Sequence, residues 1–82
     1  MIDRITIDSK IHFGKPCIAG TRITVQSILE LLNEGLSFKE IIKNYYPELD
    51  DEDIRASIQY AIALVASEDI ARSKSARKGP SS

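Results

Sequence analysis

The sequence predicts a mainly α fold: a three-helix core in helix-turn-helix order, with a short β element in front of it. Three observations predict it. Apolar residues recur at i, i+3, i+4 and i+7 in three successive segments, the signature of amphipathic helices. A helix-starting residue precedes each segment, and Gly35 and Pro47 close the first two. Upstream, the β-branched Ile5, Thr6 and Ile7 lead into a stretch from Lys10 to Arg22 punctuated by Gly14, Pro16 and Gly20.

Ile5 to Ile7 read as a short strand, and KIHFGKPCIAGTR (residues 10–22) as a loop or hairpin with Ile18 and Ile23 facing inward. The first helix begins after Thr24, a good N-cap. Its stripe is Val25, Ile28, Leu29 and Leu32, and Gly35 ends it in a left-handed conformation that residues with a Cβ resist. The second begins after Ser37, with Glu40 three residues on, a capping box. Its stripe is Phe38, Ile41, Ile42 and Tyr45, and Pro47 stops it by lacking an amide hydrogen and disfavouring helix at Tyr46. The third begins after Asp50, where Asp51, Glu52 and Asp53 complement the positive helix end. Its stripe is Ile54, Ile58, Ala61, Ile62 and Val65, and Tyr60 and Leu64 add a second apolar pair. From Ser73 the composition reads as disordered. The expected division is a tri-helical domain over 1–71 and a disordered basic tail over 72–82.

Eighty-two residues make one domain with a modest core. Such chains often gain stability from a second copy, so a homodimer is expected. With one cysteine, Cys17, and one histidine, His12, neither a disulfide nor a Cys/His metal site can form, and no cofactor is expected. Cys17, between Pro16 and Ile18, reads as a small buried hydrophobe. The first ten residues do not resemble a signal peptide, and no apolar run approaches the roughly 20 residues that span a bilayer. The expected location is the cytoplasm, without membrane attachment. Of the 11 basic residues, Arg72, Lys74, Arg77 and Lys78 lie in the tail, leaving 7 against 12 acids in the body. An acidic body with a basic tail is a layout for binding partners.

GKPCIAGTRITV, Gly14 to Val25, resembles the opening signature of a bacterial and archaeal family, domain-of-unknown-function 433. The likeness continues through Leu36 to Ile41, Tyr46 to Leu49, Asp53, Ile54 and Ala56, and covers roughly residues 2–65. The specific part is GKP-x-I-x-GTR. The resemblance implies a homeodomain-like tri-helical fold. It also implies an antitoxin-like role in a type II toxin–antitoxin pair, binding and neutralising a PIN-like ribonuclease and regulating its own transcription. No catalytic residues are carried over from it.

Several residues stand out as candidate sites. Lys15 and Arg22 in the loop are candidates to touch phosphate or a partner carboxylate, while its glycines and Pro16 read as turn geometry. The Gly-x4-Gly-Lys-Ser/Thr spacing of a P-loop is absent. On the third helix only Arg55 and Gln59 are placed to reach base edges, and the carboxylates before them repel phosphate. Tyr60 and Leu64 are either packing under the strand or a surface for a partner or a second copy. Arg72, Lys74, Arg77 and Lys78 are candidates to enter the carboxylate-rich pocket of a PIN-like toxin. The acidic run Asp50 to Asp53 reads as helix capping, since adjacent helical residues fan outward and do not converge on an ion. No nucleophile–base pair is present, so no enzyme is expected. The other readings are a stand-alone helix-turn-helix regulator that binds operator DNA, and an oligomerisation module.

Overall fold

The computed structural model describes the backbone of residues 3–75 and the side chains of residues 3–67. Two short strands, β1 (Ile5–Thr6) and β2 (Cys17–Ile18), precede three helices, α1 (Val25–Asn33), α2 (Phe38–Asn44) and α3 (Asp51–Ser75). The architecture is mainly α, as the periodicity predicts.

β1 and β2 pair antiparallel, with Ile5 opposite Ile18 and Thr6 opposite Cys17. Only two residues of each extend far enough to pair, so Ile7 lies outside the strand and is exposed. β2 folds back again: the Ile18 amide donates to the Ile23 carbonyl at 2.9 Å, and Val25 donates to Pro16 at 2.9 Å. Gly20, at φ +80°, makes this reversal possible. The Thr21 hydroxyl donates to the Ile18 carbonyl and accepts the Ile23 amide, closing the turn.

The helix boundaries follow the local chemistry. Thr24 accepts the Ser27 amide at 3.1 Å and starts α1. α1 ends in a Schellman arrangement: Gly35, at φ +100°, donates to Leu32, and Leu36 donates to Leu31. Ser37 and Glu40 form both halves of the capping box that opens α2, at 3.1 and 2.8 Å. Asp50 and Asp53 cap α3 reciprocally, each carboxylate accepting the other's amide, at 3.0 and 3.1 Å.

Each element supplies the core. Ile18, Ile28, Ile41, Leu49 and Ile54 form one buried cluster from β2, α1, α2, the α2–α3 connection and α3. Ile23 packs against it, half-buried. Cys17 is buried, as a small hydrophobe.

Two expectations are corrected. α2 stops at Asn44, so the chain turns before Tyr45; Tyr45 is exposed and Tyr46 packs against the core instead. Its hydroxyl donates to Ser27 Oγ at 3.3 Å, tying the end of α2 to the start of α1. Second, Ile62 and Val65 continue the α3 stripe but are 62% and 55% exposed. α1 and α2 are nine and seven residues long and α3 is 25, so α3 outruns the elements that could cover it. α3 runs to Ser75. The backbone at Arg72 and Lys74 is therefore helical, whereas Arg77 and Lys78 lie outside the described residues.

Candidate interaction surface

The surface that concentrates the predicted site residues is a groove beside α3. Lys15 and Pro16 form one wall, Val25 and Leu29 of α1 the floor, and Tyr60 and Leu64 of α3 the other wall. Its volume is about 240 Å³. The spacing explains the convergence. Val25 and Leu29 are four apart on α1, Tyr60 and Leu64 four apart on α3, so each helix turns one face to the groove. Lys15 reaches it because Val25 hydrogen-bonds back to Pro16, which holds the loop over the start of α1. The lining is apolar apart from Thr24, Gln26 and Lys15, and Lys15 is its one charge.

A turn with unusual backbone lies next to this wall. His12, Phe13 and Gly14 have φ of 52°, 58° and 81°. Left-handed conformations at two residues with side chains cost on the order of 1–3 kcal/mol each. The turn is held by Gly14 donating to Ile11 and Lys15 donating to His12. Its result is Phe13 at 99% exposure, two residues from Lys15.

A second apolar surface lies on another side of α3, where Ala61, Ile62, Val65 and Ala66 form an open patch.

At its N-terminal end α3 is acidic but not unpartnered. Arg4 Nη1 donates to Asp50 at 3.1 Å and to Asp53 at 2.9 Å. The Asp53 amide, then the charge of Arg4, holds the Asp50 carboxyl below its usual range. The hydrogen bond to Asp53 raises the Arg4 guanidinium above its own. Asp51 and Glu52 stay exposed. The acidic run thus caps α3 and clamps β1 to it. Among the described residues, no three His, Cys, Asp or Glu are grouped to hold a metal ion.

Of the predicted nucleic-acid residues, Lys15 alone lines the groove. Lys15 borders the groove, while Arg55 lies over the Phe38 ring at 5.7 Å, on the side of α3 facing α2. Arg22 and Gln59 are exposed. Of the predicted partner-binding residues, Tyr60 and Leu64 meet in the groove; the side chains of Arg72 and Lys74 lie outside the description. Sequence reasoning missed Arg4, Phe13 and Leu29 as surface-shaping residues. Leu29 was legible only as part of a core stripe. Arg4 is 46 residues from Asp50, and no spacing rule reaches so far.

Comparison with known proteins rests on the same elements. The sequence model of a family described as "Protein of unknown function (DUF433)" matches residues 5–61, from β1 to the middle of α3. The chain belongs to the DUF433 family. The crystal structure of a DUF433 member protein from Anabaena variabilis ATCC 29413 is similar, with a TM-score of 0.69 at 29% identity. The likeness covers 85% of this chain and 70% of that one. No curated protein matches. The DUF433 match ends at residue 61, so the open patch on α3 lies almost wholly beyond it. Among the described residues no helix is long and apolar enough to cross a membrane.

Proposed function

We propose that this DUF433 protein is a non-enzymatic, antitoxin-like module that binds and neutralises a PIN-like ribonuclease through the groove between α1 and α3. The observation that carries the reading is the groove itself: an apolar trough with one cation at its edge and an exposed aromatic beside it. Such a surface suits an apolar ridge on a partner protein, with a partner carboxylate meeting Lys15. Aromatic anchors surrounded by polar contacts are where interface energy concentrates. The antitoxin-like character implied by the GKP-x-I-x-GTR signature supplies the class of partner, and a carboxylate-rich nuclease supplies the matching charge.

The test is to look for a PIN-like ribonuclease encoded beside this protein and to measure its inhibition at low and moderate salt. Leu29→Glu should abolish inhibition while far-UV circular dichroism stays unchanged, because Leu29 is only half-buried and outside the central cluster. Deletion of 76–82 separates the groove from the basic tail. If that deletion alone abolishes inhibition and Leu29→Glu does not, Arg77 and Lys78 carry the binding and the groove reading fails. A ribonuclease that neither binds nor is inhibited by the wild-type protein removes the antitoxin reading altogether.

A further inference from the structure

We infer that the chain pairs with a second copy by placing Phe13 of each copy in the α1–α3 groove of the other. Phe13 is 99% exposed, and the next most exposed large hydrophobic among the described residues is Ile62 at 62%. At that exposure the ring has no cover from its own chain. Its backbone is nevertheless fixed. His12 and Phe13 keep left-handed φ of 52° and 58°, and the Gly14 and Lys15 amides donate to the Ile11 and His12 carbonyls. A backbone conformation that side chains resist persists only where the surroundings impose it, and such places gather at functional sites. The turn thus presents an aromatic ring to whatever meets this face.

The groove is the matching half. Pro16, Val25, Leu29, Tyr60 and Leu64 line it, with Lys15 as its one charge. At about 240 Å³ it is smaller than the roughly 300–1,000 Å³ of pockets that enclose a small-molecule ligand, and it suits one large side chain. A phenylalanine seated there buries about 150–250 Å² of its own surface. The Lys15 ammonium then meets the negative face of the ring. An aliphatic side chain would fill the same space without that second attraction. Phe13 lies two residues from Lys15, and the bond from the Val25 amide to the Pro16 carbonyl holds this loop over the start of α1. Ring and groove are therefore neighbours across one wall. A two-fold axis beside that wall seats both rings at once, so one contact serves both copies and closes the assembly at two. Two rings bury less than the roughly 1,200 Å² of a standard interface, so the pairing is weak and depends on concentration. The groove is also the surface proposed for the ribonuclease, so second copy and ribonuclease exclude each other. The pairing stands without that reading and is measured on this chain alone.

The experiment is sedimentation velocity on the full chain from about 5 to about 500 µM, a range set for a weak, transient interface. The expected result is a rise from the monomer mass of 9.1 kDa towards twice that value and no further. Phe13→Ala should raise the dissociation constant about tenfold or more, as the loss of a buried aromatic anchor does. Helix content should stay unchanged, because Phe13 is no part of the core. Leu64→Glu, at a half-exposed position on the groove wall, should weaken the pairing to a similar degree. The two variants are then mixed. Phe13 of the Leu64→Glu chain still finds an intact groove on the Phe13→Ala chain, so the mixture should pair more tightly than either variant alone and less tightly than wild type. Isotope-filtered NOE spectra of mixed labelled and unlabelled wild-type chains should show the Phe13 ring protons of one copy against the Leu29 and Leu64 methyls of the other. A wild-type chain that stays monomeric at the highest concentration, a dimer indifferent to Phe13→Ala, or a dimer without those contacts between copies would overturn the proposal. A mixture no tighter than the separate variants, or a mass that climbs past two copies, would overturn the reciprocal two-fold arrangement.

Discussion

Ile54 is the residue on which the placement of α3 turns. It is 0% exposed and packs with Ile18, Ile28, Ile41 and Leu49, so it joins α3 to every other layer. Ile54→Val removes one methylene from a filled site and keeps the β-branched shape. The loss combines the transfer free energy of that group with a small cavity, about 1 kcal/mol. For a domain of this size the urea dependence of stability is about 1 kcal/mol/M, so the midpoint should fall by roughly 1 M. In thermal unfolding the same loss should lower the midpoint by about 4–8 °C. Ile62→Val removes the same group two turns further along the same helix, where the side chain is 62% exposed. Its effect should stay within about 0.5 kcal/mol. Both are measured by circular dichroism at a few micromolar protein, where association contributes least. Equal losses at the two sites would refute the assignment of Ile54 to the core and of Ile62 to an open face.

Other outcomes follow from the caps and charges. Ser37→Ala removes one half of the capping box of α2 and should cost about 1 kcal/mol, read in the same urea titration. Asp50→Asn keeps a capping side chain but removes the charge. Because the native carboxyl titrates below its usual range, its contribution is complete above the ordinary carboxylate pKa of about 4 and is lost as pH falls through the depressed native value. The thermal midpoints of wild type and Asp50→Asn should therefore differ at pH 6 and converge by pH 2; a constant gap would show that the charge is idle. Any binding to duplex DNA should fall steeply with salt and weaken when Lys15 and Arg22 become Ala, while Asp51→Ala with Glu52→Ala should leave it unchanged or tighter. A fluorescence-anisotropy titration with a large loss from the latter pair would show that the first turn of α3 faces the duplex.

The elements themselves were legible because their signals are local. Thr24, Ser37 with Glu40, and the Asp50 to Asp53 run each act on amides within one helical turn, so reading them needs no knowledge of the rest of the chain. Gly35 is similarly self-contained, since a Schellman ending requires only a residue that tolerates positive φ. The candidate surface was legible in part. Lys15, Tyr60 and Leu64 were marked as candidates for different partners, and only the hydrogen bond that brings Val25 back to Pro16 sets them in one groove.

By itself the sequence determined the three helices, their starts, the turn glycines and the family. The tertiary structure decided which apolar residues are core and which are surface. Periodicity says that Ile54, Ile58, Ala61, Ile62 and Val65 share a stripe, but burial depends on how far the neighbouring helices extend, and α1 and α2 end before α3 does. It also decided that Tyr46 rather than Tyr45 packs inward, because the last turn of α2 closes one residue earlier than the stripe implies. The Arg4 clamp on Asp50 and Asp53 belongs to the same class: a contact between the first strand and the last helix exists only once the core has brought them together.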